Sequence, residues 1–175
     1  QDMNGIAIGT GAARTDQSGG AVAIGGSAAY TNQGQTSVAI GWWAGITNQE
    51  KDCIAIGTTA GGNNQGINSI AIGRGAAWSA QDGSGIAIGI NTGYSNQGAD
   101  SIAMGTLAGY QAQGASSIAI GKDAAKTTQG TNAIAIGEKA GETSQGTKSV
   151  AIGFQAGKDQ SMNAVAIGDE AGEIQ

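Results

Sequence analysis

Very few residues in this chain could carry covalent chemistry. The 175 residues include one cysteine, Cys53, no histidine and 13 acidic side chains. A nucleophile needs a base beside it, and Cys53 has no imidazole to pair with, so it reads as a small packed residue. Metal or acid–base chemistry needs carboxylates brought together, yet Asp52, Asp100 and Asp123 have nothing acidic stacked beside them. The Gly61-Gly62 pair lacks the lysine and the strand-to-helix setting of a phosphate loop, and no regular Asp column suggests a calcium-binding roll. The expectation is a protein that is not an enzyme and holds no metal or cofactor.

Non-covalent recognition is the chemistry that remains. Tyr30, Trp78, Tyr94 and Tyr110 occupy one repeat position, the last three in consecutive repeats, and their column mates include Arg14, Lys126 and Glu142. A column shared by aromatics and charges must be exposed, and an exposed aromatic strip can stack on sugar rings or anchor a protein partner. Shielding of a β edge is the structural alternative. Trp42-Trp43, at a turn, is a second candidate.

These side chains are placed by an internal repeat. An Ile/Val-Ala-Ile/Met-Gly unit begins at Ile6, Val22, Val38, Ile54, Ile70, Ile86, Ile102, Ile118, Ile134 and Val150, sixteen residues apart, and again at Val165, fifteen on. A fixed period of this kind is the signature of a stacked repeat architecture and takes precedence over local readings. β-Branched residues at positions 1 and 3 suit a strand, and the Gly at position 4 ends it at a tight corner. Position 7 is Ala except at Thr92, position 8 is Ala or Gly, and position 12 is Gln in nine successive repeats, from Gln17 to Gln145. The small residues at 7 and 8 suggest a second strand facing Ile, and stacked Gln suggests a corner ladder.

Sixteen residues hold two short strands and two turns. The expected fold is all-β: a parallel β-roll, or β-solenoid, of about eleven coils in a single repeat domain over 1–175. The step near Gln160-Ser161-Met162 loses the Gln-Gly corner and suggests an approaching end or a change of module. The chain starts and stops inside the pattern and is read as a segment of something longer.

With Ile filling the coil, the position-2 alanines face outward: Ala7, Ala23, Ala39, Ala55, Ala71, Ala87, Ala103, Ala119, Ala135, Ala151 and Ala166. An outward column that never turns polar implies a partner packed against it, most simply another copy of the chain. Those alanines are the expected oligomer interface. A net charge of −5 without a Lys/Arg cluster argues against nucleic acid as a partner, and apolar runs of three or four residues argue against membrane insertion by this segment.

The Ser-Ile-Ala-Ile-Gly units at 69–73 and 117–121, with small residues following, resemble the head repeats of trimeric autotransporter adhesins of the YadA type. The sixteen-residue length and the Gln-Gly corner also look like repeats of phage and large-virus fibres. The resemblance covers the whole chain and implies a left-handed parallel β-roll, a homotrimer about a long axis, and an extracellular, cell-surface or virion-surface location. It implies the function of an adhesin head or fibre segment that attaches to a host glycan or surface protein. The alternatives are a passive fibre spacer and, remotely, an ice-binding solenoid using the Thr/Ser column at position 10.

Overall fold

The computed structural model describes residues 4–172, and among them there are strands and turns but no helix. Each coil carries one strand at positions 1–3, such as Ile70–Ile72, and one at positions 10–12, such as Ser79–Gln81. The first strands form an eleven-stranded parallel sheet, the second a ten-stranded one. Ten coils are complete, and an eleventh contributes its first strand, Val165–Ile167, and the turn after it. Register follows the repeat: Ile70 pairs with Ile86, Ala71 with Ala87 and Ile72 with Ile88. The solenoid and its two strands per coil are as expected from the period.

The corners are stacked as closely as the strands. Gly73 donates its N–H to the Ile56 carbonyl at 2.8 Å, and Gly75 donates to Thr58 at 2.9 Å. All eleven position-4 glycines have φ between 120° and 138°. A Cβ on Gly57 would lie 2.7 Å from the Gly73 carbonyl oxygen. Glycine is therefore required twice over, by its backbone angle and by the coil above it.

The core is inside out relative to the expected one. The position-2 alanines point into the coil, and Ala23, Ala39, Ala55, Ala71, Ala87, Ala103, Ala119, Ala135 and Ala151 are 0% exposed in the single chain. Ala166 is buried as well, and only Ala7, in the first coil, is exposed. Apart from Ala7, they cannot be an oligomer interface, because the partner packed against them is the far side of their own coil. Repeat positions 7 and 8, such as Ala60 and Gly61, supply that far side, and they lie in the turn rather than in a second strand. The reason is thickness: a Cβ on Gly61 would already sit 3.1 Å from the Ala55 Cβ. No Ile side chain fits across such a gap, so the β-branched residues are turned outward.

At its other end the interior is filled by glutamine. Gln33, Gln49, Gln65 and Gln97 are at most 1% exposed. Gln49 Nε2 donates to the Val38 carbonyl at 2.9 Å and to Gln65 Oε1 at 3.2 Å, and Gln49 Oε1 accepts from Gln33 Nε2 at 3.2 Å. The expected amide ladder is therefore present and lies within the core. The Gln column continues through the short repeat, where Ser144 pairs with Asp159 and Gln145 with Gln160, so the missing residue comes out of the second strand, but Gln160 Oε1 accepts no bond from Gln145.

Small polar residues at position 16 find local partners. The Ser101 and Ser117 hydroxyls donate to the Gly98 and Gly114 carbonyls at 2.5 Å. Cys53 fills the same slot, buried, with Sγ 3.0 Å from the Gly66 carbonyl oxygen. The one departure at position 7, Thr92, is buried and donates its hydroxyl to the Gly105 carbonyl.

Candidate functional site

Turning Ile and Val outward creates a long apolar strip on the surface. Positions 1 and 3 of eleven strands form two parallel columns without one polar side chain. Ile56, Ile120 and Ile136 are each 36% exposed, and the final Val165 reaches 67%. At about 4.8 Å per strand the columns run roughly 50 Å along the rod. With a width of about 10 Å, the strip covers on the order of 500 Å², near the upper end of what monomeric proteins leave exposed. The period made these residues visible; their direction was legible only from the narrowness of the coil.

The aromatic column lies just ahead of the second strand, on the other side of the thin core. Its members are half-buried rather than free. Tyr94 and Tyr110 stack with centroids 5.0 Å apart at 19°. The Trp78 ring folds instead over the backbone of Gly62, the column's member in the preceding coil, where a Cβ would collide with it. Tyr30 is covered by Arg14, whose guanidinium carbon lies 5.2 Å from the ring centroid and which also donates to the Tyr30 hydroxyl. The structure thus brings Tyr94 and Tyr110 together and holds Tyr30 and Trp78 separately.

A cation follows the aromatics. Lys126, the next member after Tyr110, is paired with Asp123 at 3.0 Å, and the bond to that carboxylate raises the lysine pKa. Trp42 and Trp43 stack on one another at 4.4 Å and 9°, with exposures of 54% and 37%. They form an isolated aromatic knob at the corner after the Val38–Ile40 strand.

Cys53 is buried among backbone carbonyls and Ser69, and burial pushes its thiol pKa up, away from the reactive thiolate. Among the described residues no group of three or more Cys, His, Asp or Glu could hold a metal ion. No known protein family, curated protein or solved structure matches the chain.

Proposed function

We propose that the chain is a rod segment of an extracellular fibre or adhesin head. It associates with copies of itself, as a homotrimer, through the Ile/Val face and turns its opposite side toward a host glycan or surface protein. The observation that carries this reading is the apolar strip, unbroken by charge over eleven strands. A strip of this size and uniformity is the mark of an interaction surface. Its regular rise from coil to coil suits identical chains in parallel about an axis, with each residue meeting its own equivalents. The interface assigned here is therefore the Ile and Val columns, in place of the alanines.

Light scattering on the chain tests it. The expected mass is three times 17.0 kDa, and a variant carrying Ile72→Lys and Ile88→Lys falls to 17.0 kDa with unchanged far-ultraviolet circular dichroism. A wild-type monomer overturns the assembly.

A second reading, a passive spacer, is favoured by the aromatic column itself. Tyr94, Tyr110, Trp78 and Tyr30 are occupied with each other, with backbone or with Arg14. Replacing Trp78, Tyr94 and Tyr110 by Ser distinguishes the two. Loss of attachment to host cells supports the adhesive face, and unchanged attachment assigns the aromatics to the wall of the rod.

A further inference from the structure

We propose that a polar groove along the first five coils binds a linear amino-sugar polysaccharide lying parallel to the rod axis. This inference does not depend on self-association or on the aromatic column. The groove has a volume of about 690 Å³, within the range of small-ligand sites. One wall is the position-11 column, where Asn32 Nδ2 donates to Asn48 Oδ1 at 2.8 Å and Asn48 Nδ2 donates to Asn64 Oδ1 at 3.0 Å. Each amide has two N–H donors and two acceptor lone pairs. The ladder therefore leaves a donor and an acceptor on Asn48, at the middle rung, for a ligand, and all three side chains are exposed.

Backbone geometry favours asparagine at this position, at Asn96 beyond the groove as well, without requiring it. Position 11 has φ of 52–56° at Asn32, Asn48 and Asn64, which asparagine tolerates well, but Ala80 and Ala112 hold the same conformation at 56° and 49°. The opposite wall is position 13, where Glu50 and Asp82 alternate with Gly34 and Gly66. Those carboxylates are two coils apart, roughly 10 Å at the strand spacing. Glu50 is pinned through Oε2 by the Ile67 N–H at 3.0 Å. Asp16 adds a third carboxylate, and no Lys or Arg lines the groove.

The lining selects among ligands. Without a basic residue, a sulfated or sialylated chain meets only repulsion, whereas a protonated amine is attracted. An extended peptide finds no strand edge, because the main chain is consumed coil to coil, as in Gly34 N–H to Gln49 O at 2.7 Å and Glu50 N–H to Gln65 O at 3.0 Å. It also finds no apolar side chain among the lining residues. A chain of sugar rings presenting hydroxyls to side-chain amides and amines to spaced carboxylates satisfies both walls.

Calorimetric titration with the glucosamine hexasaccharide, its N-acetylated counterpart and hexalysine tests the proposal. Both sugars are expected to bind, the amine form more tightly. The triple variant Asn32→Ala, Asn48→Ala, Asn64→Ala keeps its backbone, because Ala80 and Ala112 already occupy that position, and should weaken both sugars by roughly tenfold or more. Glu50→Gln with Asp82→Asn should weaken the amine form alone. The proposal is overturned if neither sugar binds, if the triple variant binds them as tightly as the wild type, or if hexalysine binds as well as the glucosamine hexamer.

Discussion

Replacing one rung of the buried glutamine ladder should cost more where the ladder is continuous than where it is broken. Gln49→Ala removes bonds to the Val38 carbonyl, to Gln65 Oε1 and from Gln33 Nε2. Gln113 makes no ladder bond: it donates to the Ile102 carbonyl at 2.7 Å and the Ser117 carbonyl at 3.5 Å, and its Oε1 has no partner. A net bond is worth about 1 kcal/mol, and a stranded buried group costs about 1–3 kcal/mol. Gln49→Ala, which loses three bonds and strands Gln65 Oε1 while Gln33 Nε2 keeps the Val22 and Ser37 carbonyls, is therefore expected to destabilise by roughly 3–5 kcal/mol. Gln113→Ala, which strands one carbonyl firmly, should cost about 1–2 kcal/mol. Urea unfolding at equal protein concentration gives both values from midpoints at constant slope. The double variant Gln33→Ala, Gln49→Ala should cost less than the sum of its singles, because the two residues share a bond. Equal losses for Gln49→Ala and Gln113→Ala would refute the ladder as a source of stability and leave the amide-to-carbonyl bonds as its whole contribution.

Two further outcomes follow from the packing. Gly57→Ala forces a Cβ to 2.7 Å from the Gly73 carbonyl oxygen at a φ of 127° and should destabilise by about 2–4 kcal/mol; a thermal midpoint within a degree of wild type would contradict it. Cys53 is buried and its thiol pKa is raised by that burial. Iodoacetamide at pH 8 should therefore alkylate the folded chain at least about 100-fold more slowly than the chain in urea, and equal rates would place the thiol at the surface.

How much was legible in the sequence varies with the kind of contact. Period, the first strand of each coil and the Gln column could be read directly, because in-register stacking brings each residue against its own repeat and the column is then its environment, whereas the second strand lies at positions 10–12 and not at the small residues 7 and 8 of the repeat. The Thr36–Asp52 pair is local in the same sense: Thr36 donates to the Asp52 carboxylate across one coil and holds its pKa below the usual value. The candidate surfaces were less legible. The aromatic column was visible as a column, but Trp78 lying over Gly62 and Tyr94 stacking on Tyr110 depend on rotamers that a column does not specify. The asparagine wall was overlooked, although Asn32, Asn48 and Asn64 stand at one repeat position.

By itself the sequence determined the solenoid: a strict sixteen-residue period, β-branched strands and a glycine after each first strand admit little else. Which face of the strand points inward was decided only by tertiary structure. Alternation places Ile and Ala on opposite faces and is satisfied equally well by either orientation. The choice came from the distance between the two walls of a coil, which the period does not contain. With Ala55 facing Gly61 across the interior, only small side chains fit. The larger ones were driven to the surface, where they form the strip on which the proposed assembly rests.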